Sequence, residues 1–395
     1  MSPEAQQEPL AEPSNAAALR SVFNTQSRQT AKDVLAFKFG GSSLFGAERM
    51  LHAANLVRDA ALDAQVAVVV SAMKGVTDRL LAIARALEAG CRTDARRDAE
   101  QLLRLHMQVL RDLQLDPQEQ QRVERELHFL GKDFLHDASP ENQPSVGLRA
   151  ALQDRLASYG ERFSARLFAA ALEKAGVPAV PVSSSEFVLT CETFRDARPQ
   201  IDETRRRGRE ILLPLFAADL VPVVTGFIGS TRDGRVTTLG RNSSDFSGAL
   251  IAHVVDADEL VIWTDVDGIF TANPRESAEA KLLHELSYDQ AHALAAAGAK
   301  VLHAKVLPLA AETEMVVWVR NTFNPQFRGT RIGPPPVASA KLAEGLLNSY
   351  GCHSEQSESA SADERSRGIS LLTVGPASDG PACSQSQNSI SRGAE

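Results

Sequence analysis

Apolar runs that end in small residues and continue into helical periodicity recur along the chain. Residues 34–44 form one such run, which enters two glycines and two serines before helical spacing at 47–58. Residues 66–80 repeat the design, with a small-residue turn at 71–75. Strands that are apolar throughout are typical of a parallel sheet with both faces covered. The pattern therefore predicts an α/β fold.

The rest of the chain continues this alternation of helices and strands. Residues 81–135 carry charged residues around leucine spacings, which predicts a long helical excursion with a solvated face. Asp233 and Gly234 predict a hairpin turn. An amphipathic helix is expected at 156–172, and strands are expected at 179–182 and within 220–229, 260–275 and 316–332.

The segment 235–252 predicts a strand, a turn and a helix around an anion site. Its first residues alternate as in a strand, Gly240 breaks the pattern, and Ser243 or Ser244 supplies an N-cap. Arg241 then lies beside a helix N-terminus, where unpaired N–H groups and partial positive charge favour an anion. Asp245, taken alone, is typical of an acidic residue that stabilises the first helical turn.

The turn after the first apolar run has a similar character. Gly40 and Gly41 let a backbone come close to a ligand, and the N–H groups that follow, from Ser42 onward, can hold phosphate oxygens. Lys38 adds a positive charge at the end of the strand. The loop is not a Walker A motif, because GxxxxGK[ST] is absent.

Other candidate residues follow strands further along the chain. Ser71 and Thr77 are expected at the carboxyl end of the second strand, where the ligands of such sheets gather, although capping alone explains Thr77. Thr264, Asp265 and Arg275 belong to a loop that suits a nucleotide. Its DVDG sequence lacks the glycine and glutamate spacing of an EF-hand, which argues against calcium.

The composition excludes several functional classes. A chain of 395 residues with 43% hydrophobic and 5% aromatic residues is ordinary for an α/β protein with two lobes. A net charge of -8 argues against a nucleic-acid surface, and no apolar run approaches bilayer length. The four cysteines form no CxxC pair and no export signal is present, which favours a reducing cytoplasm over a disulfide framework or a zinc site.

Seven ordered motifs give the chain a family resemblance. KFGGSS, SAMKGVTD, SYGER, TLGRNSSDFS, WTDVDGIFTANPR, GAKVLH and RNTFNP stand in the order and rough spacing of the aspartate kinases, which are members of the amino acid kinase family. The resemblance covers residues 34–332, and the GRN loop is similar to the kinase module of bifunctional enzymes that carry homoserine dehydrogenase. It implies a three-layer αβα sandwich with a mainly parallel central sheet in two lobes.

The resemblance also implies an activity and a set of site residues. The activity is ATP-dependent phosphorylation of the β-carboxylate of L-aspartate, the first step toward lysine, threonine and methionine, with Mg²⁺ as the companion of ATP. Glu161 and Lys300, which alone would be ordinary surface residues, gain roles in this way. The catalytic pair is Lys38 and Asp245; the substrate residues are Ser71, Thr77, Glu161, Arg241 and Ser244; the nucleotide residues are Gly40, Gly41, Ser42, Thr264, Asp265, Phe270, Arg275 and Lys300.

The chemistry of this reaction agrees with that distribution of residues. A β-carboxylate with a reference pKa of about 3.9 is ionised at neutral pH and needs no general base. Its approach to a polyanionic phosphate needs positive charge and positioning, which Lys38, Lys300 and Mg²⁺ supply. Asp245 then orients Lys38, Arg241 suits the α-carboxylate of the substrate, and Glu161 suits its ammonium group.

Two residues depart from the family pattern. Ser243 stands where the family usually has glycine, which predicts strain if the backbone there has a positive φ, and Phe270 replaces a common tyrosine.

The expected segments are a disordered leader at 1–32, a catalytic domain at 33–332 and a low-complexity tail at 333–395 without the family's ACT domains. The amino-acid-binding lobe is 33–220 and the nucleotide-binding lobe is 221–332. Feedback by lysine, threonine or methionine is expected to be absent, while a homodimer is compatible with the resemblance.

Two other interpretations stay open from the sequence. One is a different kinase of the same fold, acting on glutamate, acetylglutamate or UMP, although Arg241 and Glu161 together disfavour UMP. The other is a non-catalytic fragment that binds a nucleotide or a partner subunit. Turnover compared with that of Lys38→Ala and Asp245→Ala variants separates this last class from the kinases.

Overall fold

The computed structural model describes residues 32–139, 141, 149–272, 277, 279–296, 302–303 and 305–334. The predicted leader except for Lys32, and the predicted tail beyond Pro334, lie outside these ranges. Two predicted nucleotide residues, Arg275 and Lys300, also lie outside them.

The described chain alternates strands and helices as the pattern predicts. The strands are β1 (Asp33–Phe39), β2 (Ala64–Val70), β3 (Ala179–Val182), β4 (Val221–Thr225), β5 (Ile228–Ser230), β6 (Val236–Thr238), β7 (Glu259–Thr264), β8 (Ile269–Phe270), β9 (Leu282–Leu283), β10 (Glu285–Ser287), β11 (Val316–Asn321) and β12 (Thr330–Gly333). The helices are α1 (Ala47–Ala61), α2 (Val76–Glu88), α3 (Arg92–Leu113), α4 (Pro117–Asp137), α5 (Arg149–Lys174), α6 (Ile201–Ala217), α7 (Ser244–Val254), α8 (Tyr288–Ala296) and α9 (Val306–Glu312).

Eight strands of the described residues form one sheet in the order β10-β12-β11-β7-β1-β2-β4-β3. Neighbouring strands are parallel except for β11 and β12, which are antiparallel. The predicted mainly parallel sheet is therefore confirmed. The predicted turn at Asp233 and Gly234 joins the separate antiparallel pair β5 and β6, and Gly234 has the positive φ of 82° that such a turn requires.

Each face of the sheet is covered by its own apolar core, which confirms the three-layer architecture. Phe37 and Phe39 of β1 pack into a core with α1 to α5, whereas Ala36 packs into a second core with α6 to α9. Because successive side chains of a strand point to opposite faces, a continuous apolar strand feeds both cores at once. The predicted helical excursion becomes α2, α3 and α4, on the first of these faces.

Parallel strands direct their carboxyl ends to one edge of the sheet. There, the Gly40 amide donates to the Trp263 carbonyl, the Ser71 amide to the Phe39 carbonyl and the Gly226 amide to the Val70 carbonyl. These bonds continue the sheet ladder beyond the strands and hold their turns together. Within the described ranges, no helix is both long enough and apolar enough to cross a bilayer.

Candidate active site

The carboxyl ends of β1, β2 and β7 and the N-terminus of α7 open into one cleft of about 670 Å³. It lies at the edge where a parallel α/β sheet ordinarily binds its ligands. Most of the site residues predicted from the sequence line it, namely Lys38, Gly41, Ser71, Thr77, Glu161, Arg241, Ser244, Asp245 and Thr264.

A lysine and an aspartate form an ion pair on the cleft wall. The Lys38 ammonium is 2.7 Å from Asp245 Oδ1, and the two side chains are 8% and 22% exposed. Lys38 comes from the end of β1 and Asp245 from the first turn of α7, so the pair joins two distant segments of the sequence. An ammonium group held in this way presents its remaining donors in a fixed direction, as charge stabilisation in a reaction requires.

Close packing of α7 on β1 creates this pair. A Cβ atom added at Gly248 would lie 3.0 Å from Lys38 Cβ, so the absence of a side chain there lets the helix rest on the lysine stem. Gly248 follows Asp245 by about one helical turn, which places both residues on the face that meets β1. The apolar residues of α7 are buried beside it and fix the position of the helix.

Glu161 is a buried carboxyl on α5 that faces the same cleft. It is 3% exposed, and its Oε2 atom has no hydrogen-bond partner among the described residues. Burial raises the pKa of Glu161 to about 8, against the opposing effects of backbone hydrogen bonds from Ala72 and Glu161 and of the Lys38 charge. A cation bound in the cleft would offset this desolvation, since it would stabilise the ionised carboxylate.

Arg241 lies on the turn between β6 and α7, at the mouth of the cleft. Its guanidinium is 3.0 Å from Asp78 Oδ1 of α2, and both side chains are well exposed. Asn242, the next residue, takes the positive φ of 62° that asparagine tolerates better than most residues. The pair therefore spans the cleft opening and ties α2 to the turn.

The strain anticipated at Ser243 is absent. Ser243 has φ -79° and ψ 5°, which any residue adopts, and the positive φ values of this turn fall on Gly240 and Asn242 instead. Ser243 is the N-cap residue, as predicted, but its side chain makes no capping hydrogen bond. A similar revision applies to α2, where Gly75 rather than Thr77 occupies the N-cap position.

The glycine turn after β1 is tightly packed against the turn after β2. A Cβ atom at Gly41 would lie 2.6 Å from the Ala72 carbonyl oxygen, and the Lys74 amide donates to the Gly41 carbonyl. The structure brings Gly41 to the cleft wall, while the flanking Gly40 and Ser42 do not line it.

Two further predicted residues lie away from the cleft wall. Asp265 follows Thr264 in the loop after β7, and the Thr264 hydroxyl is 3.4 Å from its carboxylate. Phe270 is in β8 and pairs with Leu282 of β9. Neither Asp265 nor Phe270 lines the cleft, and their nucleotide contacts stay predictions.

The cleft also contains residues that the sequence did not single out. Lys74 and Asp78 lie within the quoted SAMKGVTD motif, and His303 lies in the segment that follows GAKVL, yet no spacing rule pointed to these side chains. Asn242 is a turn residue to which the sequence assigns no role, and for Ser243 the sequence predicts an N-cap but no contact with a ligand. Burial lowers the pKa of His303, and the Lys305 charge lowers it further, which favours a neutral imidazole at the cleft wall.

The described residues contain no group of three or more histidine, cysteine, aspartate or glutamate side chains that could hold a metal ion. Asp245, the carboxylate of the cleft wall beside Lys38, is already paired with it. Mg²⁺ bound with nucleotide keeps water and phosphate ligands and needs few protein oxygens. The donor set therefore fits an ion that arrives with ATP rather than one held by a protein cage.

Comparisons with known proteins agree with this geometry. Residues 33–321 match the model of the amino acid kinase family. The lysine-sensitive aspartokinase 3 of Escherichia coli (strain K12) is 34% identical over 301 residues, which cover 76% of this chain and 64% of that protein. The bifunctional aspartokinase/homoserine dehydrogenase 2, chloroplastic, of Zea mays is 32% identical over 317 residues, which cover 79% of this chain and 34% of that protein.

A solved structure of a relative has a similar fold. The crystal structure of E. coli aspartokinase III in complex with aspartate and ADP (R-state) is similar with a TM-score of 0.68 and 31% sequence identity. The similarity covers 78% of this chain and 66% of that one. The chain thus spans just under two thirds of the length of these E. coli relatives and about a third of the bifunctional protein.

Proposed function

Because the chain belongs to the amino acid kinase family, we propose that it transfers the γ-phosphoryl group of ATP to the β-carboxylate of L-aspartate. The product is 4-phospho-L-aspartate. The observation that carries the proposal is the Lys38–Asp245 ion pair. It lies in a cleft that is also lined by the buried carboxyl of Glu161 and by the exposed guanidinium of Arg241. The names of the relatives, all aspartokinases, support the choice of amino acid.

The reaction needs charge more than proton transfer. A β-carboxylate oxygen attacks the γ-phosphorus, a new P–O bond forms, and the bond to the β-phosphate oxygen breaks to release ADP. Lys38 stabilises the negative charge that develops on the transferred phosphoryl group. Asp245 fixes the direction in which the Lys38 ammonium points. Mg²⁺, when bound with ATP, neutralises phosphate charge.

Glu161 and Arg241 recognise the two charged groups of the amino acid end. The substrate ammonium meets the unpartnered Oε2 atom of Glu161, and its charge keeps that carboxyl ionised. Arg241 exchanges Asp78 for the α-carboxylate, which it can bind as a bidentate fork. Ser71, Thr77 and Ser244, which line the same cleft, complete this subsite.

Thr264 and the Gly41 turn mark the nucleotide side of the cleft. Asp265, Phe270, Arg275 and Lys300, with Gly40 and Ser42, remain assigned to ATP by resemblance. In the same way, the division into an amino-acid lobe at 33–220 and a nucleotide lobe at 221–332 is part of the proposal. So are a cytoplasmic setting, a homodimer and a place at the start of lysine, threonine and methionine synthesis.

An acyl phosphate trapped by hydroxylamine gives a direct test. The purified full chain, with ATP and Mg²⁺, is expected to form the hydroxamate of L-aspartate at a rate at least tenfold above those for L-glutamate and N-acetylglutamate. A preference for either glutamate compound would replace aspartate by another substrate of the same fold. Absence of hydroxamate from all three would favour the non-catalytic fragment.

A further inference from the structure

The N-terminus of α7 carries a buried hydroxyl group that is left without a partner. Ser243 is 0% exposed, and its Oγ atom makes no hydrogen bond within the described part of the chain. The residue nevertheless lines the cleft. Its backbone is fully used, because the amide donates to the Gly240 carbonyl and the carbonyl accepts from the Ser247 amide. Only the side chain is free to meet a ligand.

Two other buried polar atoms on the cleft wall share this condition. Ser71 Oγ and Glu161 Oε2 also lack partners among the described residues, and both residues are at least nine-tenths buried. An unpartnered polar atom removed from water is costly, because it loses the hydrogen bonds that water would otherwise supply. Three such atoms on residues that line one cleft indicate that a polar ligand, rather than the fold, supplies their hydrogen bonds.

Ser247, one turn further along α7, shows what a structural hydroxyl looks like on the same helix. Its Oγ accepts from the Phe227 amide at 2.8 Å and lies 3.3 Å from the Ser243 carbonyl oxygen. Ser247 is buried as well, yet it does not line the cleft. The contrast between these two buried serines separates a hydroxyl that holds the fold from one that is left unpartnered on a residue of the cleft wall.

The surroundings of Ser243 determine the kind of group that it meets. A helix N-terminus favours an anion, and Arg241 stands two residues earlier on the same turn. Asp245, two residues later, is occupied with Lys38 at the proposed transfer centre. Along the chain, Ser243 therefore stands between the arginine proposed for the α-carboxylate and the aspartate of the proposed transfer centre.

We propose that the Ser243 hydroxyl donates a hydrogen bond to the α-carboxylate of the amino acid substrate, and so forms one carboxylate subsite with Arg241 and the N-terminus of α7. This inference rests on the proposed function, since it names a contact to the same substrate. It adds a specificity residue at a position where the resembled family usually has glycine, which offers no hydroxyl.

The test compares Ser243→Ala with Ser247→Ala in the full chain by equilibrium binding of L-aspartate and of ADP. Ser243→Ala is expected to weaken aspartate binding about tenfold, the loss for a hydrogen bond to a charged group, and to leave ADP binding unchanged. Ser247→Ala is expected to retain both affinities. In thermal unfolding without ligand, Ser247→Ala is expected to have a lower midpoint temperature than Ser243→Ala, because only Ser247 loses a protein hydrogen bond.

β-Alanine serves as a second probe, because it keeps the ammonium and reacting carboxylate of aspartate but lacks the α-carboxylate. Its inhibition constant against aspartate is expected to be the same in the wild-type chain and in Ser243→Ala. A tenfold loss for β-alanine as well would place the hydroxyl on another group and overturn the assignment, as would weakened ADP binding.

If Ser243→Ala binds aspartate with wild-type affinity, the inference about Ser243 is wrong, but the proposed function is not affected. Failure of the wild-type chain to bind aspartate at all would overturn both. The two failures are therefore distinguishable in one series of titrations.

Discussion

A carboxyl group buried without a cation is held in its neutral form, and Glu161 is such a group. Burial raises its pKa to about 8, so the free protein carries a protonated Glu161 through most of the neutral range. In the proposed reaction, the substrate ammonium binds the ionised form of Glu161. Binding and ionisation are therefore coupled at a single side chain.

The coupling predicts a pH dependence for aspartate. From pH 6 to 7, kcat/KM should rise by roughly tenfold, and from pH 7 to 8 by roughly fivefold, because the fraction of ionised Glu161 in the free enzyme rises in this way when its pKa is about 8. The rise should level off above about pH 9. Glu161→Gln should lower kcat/KM and flatten this rise. A wild-type profile that is flat over the range, or an equally steep one in Glu161→Gln, would contradict the role given to this carboxyl.

Asp78 holds Arg241 in the absence of substrate, and its removal should help binding. Asp78→Asn is expected to lower the KM for aspartate by up to about fivefold with kcat unchanged, since an exposed ion pair contributes at most about 1 kcal/mol. Initial-rate kinetics at low salt measure the effect. The matched control is Glu100→Gln, which removes an exposed ion pair with Arg96 on α3 away from the cleft and should leave KM unchanged. An increase in KM for Asp78→Asn would show that Asp78 itself binds substrate.

At the level of strands and helices, the sequence predicts the units well. The apolar runs ending in Gly40 and Ser71 appear as β1 and β2, and the segment around Gly240 is a strand, a turn and a helix. These units are decided by local patterns of apolar spacing, turn residues and caps. Lys38 lies at the end of one strand of a parallel sheet and Ser71 follows another, so their common edge is predictable as well.

What the sequence does not predict depends on contacts between distant elements. The order of strands and the antiparallel β12 are properties of the whole sheet. The Arg241–Asp78 pair joins two elements that no periodicity relates, and the backbone at Ser243 is set by the two positive-φ residues before it. The nucleotide contacts that the motif predicts for Phe270 and Asp265 stay predictions, since neither residue lines the cleft.

The fit of α7 on β1 is the element contact on which the proposed transfer centre depends. Gly248→Ala should push the helix off Lys38 by a few tenths of an ångström, because its new Cβ atom would lie 3.0 Å from Lys38 Cβ. We expect kcat to fall by roughly tenfold or more, since small misplacements of reacting groups are costly, while the chain stays folded.

Gly131→Ala is a matched control for this change. It also replaces a glycine inside a helix, but its new Cβ would meet only the end of the flexible Leu103 side chain, at 2.8 Å from Cδ1. Turnover and thermal unfolding should be measured for both variants. Equal turnover in the two would show that the contact with Lys38 does not position the reacting groups.

Across the whole molecule, the sheet separates two apolar cores, and its carboxyl edge carries the cleft. The lining residues come from both sides of this division, with Glu161 from α5 and Asp245 from α7. A site assembled from both layers requires the intact domain, which is consistent with the family match across residues 33–321.

The most direct test of the account is turnover itself in three proteins: the wild-type chain, Lys38→Met and Asp245→Asn. ATP-dependent formation of aspartyl hydroxamate should be clear for the wild type and reduced by roughly a hundredfold or more in each variant, because each removes one half of the 2.7 Å pair that directs positive charge to the transferring group. ADP binding by the variants should persist, which would exclude unfolding as the cause. Hydroxamate formation by Lys38→Met at the wild-type rate would contradict the proposal that this ion pair is the centre of phosphoryl transfer.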